Sequence, residues 1–106
     1  VLLMNDSQYP WFILVPRVEG CREIIDLDDK LQAQFWQESA QLSRTLQAVF
    51  SPDKLNVAAL GNMVPQLHVH HIARFTQDIA WPKPVWGLHP AKPYTGEQIA
   101  ELKKVF

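Results

Sequence analysis

Residues 66–74 read Gln66-Leu67-His68-Val69-His70-His71-Ile72-Ala73-Arg74 and hold three of the four histidines of the chain. Apolar residues are interleaved with the histidines at a period of two, which predicts a β-strand. Alternate side chains of a strand share a face. His68 and His70 would therefore share one face, with Cα atoms about 6.5–7 Å apart, and His71 would lie on the other. That spacing suits a row of catalytic or metal-binding groups.

Three kinds of chemistry fit this histidine row. A neutral imidazole can fill a half-buried strand position as a structural residue once it is hydrogen-bonded. His68 and His70 could instead ligate zinc or iron, with a third ligand from His89, Asp6 or Cys21. A histidine can also act as a nucleophile on phosphorus when an acceptor holds its remote ring nitrogen. The residues alone leave all three interpretations open.

Short apolar runs predict further strands on both sides of a helical region. Val1–Met4 and Trp11–Val15 are candidate strands before it, and Leu55–Leu60 is one after it. The last of these would pair with Leu67–Phe75 as an antiparallel hairpin, with a loop spanning Gly61 to Pro65.

A long helix is the clearest element of the sequence. From Leu27 to Phe50 apolar residues recur at intervals of three, four and seven, which is typical of an amphipathic helix. Asp26 or Asp28 would cap its N-terminus. Ser51-Pro52 would end it, because a residue before proline avoids the helical conformation.

The C-terminal third begins with a segment rich in proline and tryptophan, Thr76–Tyr94, which cannot form a regular element for long. It is too apolar for a free linker, so we expect it to lie over the sheet or to reach across a dimer partner. Thr95-Gly96-Glu97-Gln98 then fits a capping box that opens a C-terminal helix to about Val105. The order β-β-α-β-β-α predicts an α+β fold with a mostly antiparallel sheet.

Length and charge limit the class of protein. With 106 residues and a net charge of −1, we expect one domain over residues 1–106 and neither a nucleic-acid polymer nor a membrane as partner. The single cysteine, Cys21, cannot form an internal disulfide, which favours the cytoplasm. The longest apolar run, Trp11–Val15, is too short to span a bilayer. Because the chain begins inside an apolar run, we expect that N-terminal residues are missing.

Residues 1–75 resemble the histidine triad (HIT) family of nucleotide hydrolases and transferases. The family pattern His-φ-His-φ-His-φ-φ, where φ is apolar, corresponds here to residues 66–72. The turn Gly61-Asn62-Met63-Val64 is similar to the family's Gly-Gln-(Ser/Thr)-Val, and Ile13–Arg17 is similar to its Leu-Val-Ile-Pro-Lys. The resemblance implies a HIT-like fold with an antiparallel sheet of about five strands, one long helix and a C-terminal helix.

The resemblance also implies a function. His68, the middle position of the triad, would be the catalytic nucleophile and would form a nucleotidyl–histidine intermediate. The substrate would be a nucleotide or dinucleotide, such as a dinucleoside polyphosphate or a nucleoside phosphoramidate, so the protein would be a hydrolase of phosphorus-containing anhydrides or a nucleotidyl transferase. The family implies a homodimer, without a cofactor or a metal ligand. Phosphate and transition-state support would come from Gln66, His70, Asn62 and Asn56, and ribose binding from Asn5 and Asp6.

Several departures from the family pattern keep an alternative open. Gln66 replaces the first histidine, and its amide can donate and accept hydrogen bonds but cannot carry a proton. Trp11 stands where many members have another histidine, Met63 replaces a hydroxyl residue, and His71 replaces an apolar one. The alternative is a catalytically weak or inactive nucleotide-binding protein. If the main-chain carbonyl of residue 66 orients His68, however, that contact survives the change.

Overall fold

The computed structural model describes residues 1–106 and has the predicted order β-β-α-β-β-α. The elements are β1 (Leu2–Leu3), β2 (Trp11–Leu14), α1 (Asp29–Phe50), β3 (Lys54–Ala59), β4 (Val69–Arg74) and α2 (Gly96–Lys103), with a 3-10 turn at Ile24–Asp26. Neither helix is both long and apolar enough to cross a membrane. The α+β class predicted from the sequence is confirmed.

The four strands form one sheet in the order β1-β2-β4-β3, and every neighbouring pair is antiparallel. The sheet thus has four strands, where the sequence predicted about five. Strand β4, which carries the histidine row, lies between β2 and β3, and all six of its residues are buried. Its side chains therefore have neighbours on both flanking strands.

The β3–β4 hairpin has a longer loop than the sequence predicted. Ala59 pairs with Val69, so the connection runs over residues 60–68 rather than from Gly61 to Pro65. Leu67 donates its N–H to the carbonyl of Cys21 at 2.8 Å, and the Gln66 amide donates to the Pro16 carbonyl at 3.4 Å. These contacts turn residues 66 and 67 away from β3, so β4 begins only after His68.

The two faces of the sheet are covered by different parts of the chain. Helix α1 packs on one face, where its buried side chains join those of β2 and β4 in the larger core cluster. The proline- and tryptophan-rich segment lies over the opposite face. Of the two positions expected for this segment, the one over the sheet is therefore observed. That second cluster consists of Tyr9, Trp11, Ile72, Ala80 and Val85.

Helix α1 is capped by Asp28, whose carboxylate accepts the N–H of Leu31 at 2.8 Å. Asp26, the other candidate, instead accepts the N–H groups of Arg22 and Glu23 and closes the preceding 3-10 turn. The helix ends as predicted at Ser51, which adopts the left-handed conformation with φ of 49°.

The capping box predicted for α2 is present, since the side chains of Thr95 and Gln98 each bond the other's backbone N–H. The helix ends at Lys103, slightly before the predicted Val105. The final residue, Phe106, stacks on the ring of Phe12 with centroids 4.5 Å apart. This contact directs the chain end onto the sheet.

Candidate active site

His68 lies at the entrance of β4 and is half-buried. Its Nδ1 atom is 2.6 Å from the main-chain oxygen of Gln66. A carbonyl oxygen can only accept a hydrogen bond, so Nδ1 carries the proton of the neutral ring and Nε2 has a free lone pair. The orienting contact anticipated for residue 66 is therefore present, and it uses the backbone rather than the side chain that departs from the family pattern.

His70 is the second imidazole on this face, with its ring centroid 5.2 Å from that of His68. It is 4% exposed, and its Nδ1 atom is 2.9 Å from the indole Nε1 of Trp11. Burial lowers the pKa of His70 below its ordinary 6.5, and the neighbouring His68 and His71 lower it further. His70 is therefore a neutral ring at pH 7.

His71 points to the other face and is completely buried. Its Nδ1–H donates to the Val69 carbonyl at 3.0 Å, and its Nε2 lies 2.7 Å from the hydroxyl of Ser39 in α1. Burial lowers its pKa, which the Val69 contact offsets only in part. Sequence reasoning missed Ser39, although a polar residue four positions after Phe35 in the apolar stripe of the helix was the available signal.

Arg74, at the end of β4, is buried and donates four side-chain hydrogen bonds, although its position at a strand end would suit a solvated residue. Its Nε and Nη2 donate to the two carboxylate oxygens of Asp78 at 2.8 and 3.1 Å, and its Nη2 also donates to the Lys83 carbonyl at 2.8 Å. Burial raises the pKa of Asp78, but the bonds from Arg74 and from two backbone N–H groups outweigh it and hold that pKa below 3.8. This pair attaches the proline- and tryptophan-rich segment Thr76–Tyr94, here called the covering segment, to the sheet.

Asn56 is tied to the same arginine, because Nη1 of Arg74 donates to its Oδ1 at 2.8 Å. A guanidinium has only donors, so the Asn56 amide must present its oxygen to Arg74 and leave its NH₂ group at the free end. Asn56 pairs with Ile72, and two residues further on Ala58 pairs with His70. Asn56 therefore lies on the face of His70 with donors available to a ligand.

The other predicted site residues, Asn62, Asn5 and Asp6, lie in loops. Asn62 is exposed in the loop that leads to His68, directly after Gly61, whose φ of 76° favours glycine. Asp6 is buried, and its Oδ1 accepts the backbone N–H and the side-chain amide of Gln8. The Asn5 oxygen accepts the N–H of Tyr94 at 2.9 Å. Asp6 thus closes the turn after β1, and Asn5 joins that turn to the residues before α2.

The His68–His70 face is not part of the four principal surface cavities, which measure from about 390 to 760 Å³ and are lined by other residues. Two of these cavities lie where α1, the N-terminal residues and the C-terminal residues meet. A third lies between α1 and the segment after β2, and the fourth lies beside α2. On this face His68 is half-exposed at the entrance of β4, whereas the neighbouring His70 is 4% exposed.

The chain matches the family model of the HIT domain over residues 1–77. The protein belongs to the histidine triad (HIT) family. Three solved structures of histidine triad proteins align over 97% of this chain with a TM-score of 0.94. They come from Marinobacter aquaeolei VT8, with 56% identity and 75% of that chain covered, Bradyrhizobium japonicum, with 48% and 77%, and Sinorhizobium meliloti 1021, with 40% and 76%. No curated protein matches the chain.

The HIT assignment places the protein in a superfamily of nucleotide hydrolases and transferases. No three His, Cys, Asp or Glu side chains are grouped so that they could hold a metal ion. Cys21 is buried under α1, on the opposite face from His70. His89 is exposed, with its Nε2 at 3.2 Å from the Ile79 carbonyl.

Proposed function

We propose that this HIT protein is a nucleotide phosphohydrolase or nucleotidyl transferase whose nucleophile is Nε2 of His68. The observation that carries the proposal is the 2.6 Å contact between Nδ1 of His68 and the Gln66 carbonyl. That contact leaves the lone pair on Nε2, and a histidine oriented in this way is a competent nucleophile. His68 is also half-exposed, so a substrate can reach it.

The proposed reaction has two displacements at one phosphorus atom. The Nε2 lone pair attacks the α-phosphorus, and the bond to the leaving oxygen or nitrogen breaks with its electron pair, which takes up a proton from water. A water molecule or an acceptor hydroxyl then attacks the same phosphorus and loses its proton to solvent. The phosphorus–nitrogen bond breaks, its electron pair returns to Nε2, and a nucleoside monophosphate or its ester leaves.

The proposed substrates are dinucleoside polyphosphates and nucleoside phosphoramidates. Asn56 supports this reading, because Arg74 directs its NH₂ group outward and an amide donor stabilises charge on phosphoryl oxygens. We assign Gln66, His70 and Asn62 to the same task. Ribose binding is proposed for Asn5 and Asp6, which would have to combine it with their contacts to Tyr94 and Gln8.

The decisive experiment is detection of the covalent intermediate. The wild-type protein is incubated with a panel of adenylated and guanylated substrates, quenched, and searched by mass spectrometry for a nucleotidyl adduct on His68. We expect His68→Ala to abolish the adduct and to lower turnover by several orders of magnitude while circular dichroism stays unchanged. His89→Ala is the matched control, because His89 is exposed and distant in sequence. Turnover in His68→Ala at the wild-type rate would refute the nucleophile.

A nucleotide-binding protein with little or no turnover is the second candidate. Gln66 favours it, because an amide at the first triad position cannot transfer a proton. Calorimetry that shows binding of a nucleoside monophosphate, together with no product from the substrate panel, would support this candidate over the enzyme.

We also propose that the protein forms a homodimer. Strand β3 is an edge of the sheet, so its outer N–H and C=O groups have no strand partner, and such an edge is a template for pairing. Exposed apolar side chains occur nearby at Val57 and Leu60 and on α1 at Trp36. Light scattering at micromolar concentration tests this, and a monomeric mass would contradict it.

A further inference from the structure

The ring of His70 has a hydrogen-bond partner on β2, the indole of Trp11. In the antiparallel register Ile13 lies opposite His70, and Trp11 lies opposite Ile72. Trp11 and His70 are therefore diagonal neighbours on one face, a spacing that long aromatic side chains can bridge. The indole does so, and its Nε1 lies 2.9 Å from Nδ1 of His70.

This hydrogen bond has only one possible direction. The indole N–H can only donate, so Nδ1 of His70 must accept and carries no proton. The single proton of the neutral ring then resides on Nε2. His68 has the reverse arrangement, because its Nδ1–H donates to the Gln66 carbonyl. The two neighbouring imidazoles thus differ in function: Nε2 of His68 is a nucleophile, and Nε2–H of His70 is a hydrogen-bond donor.

The Nε2–H of His70 is reachable from outside. Nε2 of His70 has no hydrogen-bond partner within the chain. Among side-chain nitrogen and oxygen atoms that solvent cannot contact, only the Tyr9 hydroxyl lacks a partner. Solvent therefore still contacts Nε2 of His70, although most of the ring is buried. With the ring centroids 5.2 Å apart, a phosphoryl group bound at His68 lies within reach of this donor.

A third aromatic ring keeps water from the indole–imidazole bond. Trp86, from the covering segment, packs edge-on against both rings, with centroids 5.7 Å from Trp11 and 5.2 Å from His70. Trp11 is itself buried. In such surroundings a competing water cannot easily replace the indole donor, so the preference for one tautomer is strengthened.

We propose that Trp11 is a positioning residue that holds His70 as the neutral Nε2–H tautomer, so that His70 donates a hydrogen bond to a phosphoryl oxygen at His68. The phosphoryl part rests on the proposed function, whereas the tautomer is a property of the free protein. In this state His70 stabilises charge without transferring a proton, because loss of the Nε2 proton from a neutral ring would leave an imidazolate.

The tautomer can be read without any substrate. In two-bond ¹H–¹⁵N correlation spectra of ¹⁵N-histidine-labelled protein at pH 7.5, we expect wild-type His70 to show an unprotonated Nδ1 and a protonated Nε2. Trp11→Phe keeps an aromatic ring but removes the donor, and we expect a mixture of both tautomers. Trp36→Phe, which removes an exposed indole on α1, is the matched control and should keep the wild-type tautomer. A protonated Nδ1 in the wild type, or an unchanged spectrum in Trp11→Phe, would overturn the inference.

Turnover tests the consequence for the reaction. We expect Trp11→Phe to lower kcat by about tenfold or more, since a misdirected donor fails mainly in the transition state, with a smaller change in KM. His89→Ala is the control for this measurement. If the wild-type tautomer is confirmed but Trp11→Phe turns over at the wild-type rate, Trp11 is not a positioning residue for catalysis. If His68→Ala remains active, the proposed function fails, and the spectra still decide the tautomer.

Discussion

The hydroxyl of Ser39 in α1 and the Nε2 atom of His71 in β4 are 2.7 Å apart in the core, between helix and sheet. The Val69 carbonyl accepts the Nδ1–H of the same ring, so Nε2 accepts from the hydroxyl and both ring nitrogens are satisfied. Of the three clustered histidines, His71 therefore follows the structural interpretation. His68 and His70 lie on the opposite face of β4, and each has an Nε2 atom that is free to contact a ligand.

Removal of the serine hydroxyl should destabilise the fold. Ser39→Ala leaves Nε2 of His71 buried without a partner, which costs about 1–3 kcal/mol of the free energy of unfolding. Urea denaturation at pH 7.5 measures the change. Ser43→Ala, one turn further along α1, is the control and should change the free energy by less than about 0.5 kcal/mol. Equal losses in the two variants would show that the Ser39–His71 bond contributes nothing particular.

Stability should fall as the pH drops below 6.5. Burial keeps the pKa values of His70 and His71 below their ordinary 6.5 in the folded protein. At a pH between the folded-state and unfolded-state pKa values, the unfolded chain therefore binds more protons than the folded protein. The contribution is complete above 6.5 and is lost as the pH falls toward the folded-state values. The effect is measured by the midpoints of urea denaturation between pH 8 and pH 5. This pH range lies above the range in which Asp78 titrates.

The histidine origin of this pH dependence can be checked by variants. The double variant Ser39→Ala/His71→Leu removes one titrating ring together with its partner, so we expect a flatter profile than in the wild type. His89→Gln should keep the wild-type profile, since His89 is exposed. A profile that is unchanged in the double variant would exclude His71 as a source.

The Arg74–Asp78 pair should contribute far more to the free energy of unfolding than an exposed ion pair does. Both side chains are nearly inaccessible, at 2% and 4%. Asp78→Asn preserves the shape but leaves a buried guanidinium without a counter-charge, and we expect a loss of about 3–5 kcal/mol in urea denaturation. Glu101→Gln breaks the exposed pair with Lys104 and should cause no measurable loss. A loss below 1 kcal/mol in Asp78→Asn would contradict the argument.

Gln66 should matter less for the reaction than His68, because its backbone and not its side chain orients the nucleophile. For Gln66→Ala we expect the Nδ1–H tautomer of His68 to persist in ¹H–¹⁵N spectra and kcat to fall by about tenfold at most, against several orders of magnitude for His68→Ala. A loss in Gln66→Ala as large as in His68→Ala would instead assign an essential role to the amide.

Some features followed from the sequence because they depend on local chemistry. The cap at Thr95 and the stop at Ser51-Pro52 were predictable, and the cap of α1 was narrowed to Asp26 or Asp28, since each requires only residues within one or two turns. The alternation in residues 66–74 likewise predicted which histidines share a face. The start of β4 was predicted two residues too early, because the bond between Leu67 and Cys21 joins segments that are far apart in sequence.

The order of the elements, the family and the identity of His68 as the candidate nucleophile can be read from the chain, because periodicity, turn chemistry and motif spacing are local or linear features. The pairing of the polar atoms is set by the folded arrangement alone. The donors of Trp11 and Arg74 fix the orientation of His70 and Asn56, and Ser39 satisfies His71. Such pairings depend on diagonal neighbours across strands and on a helix that crosses the sheet, and no spacing along the chain encodes them.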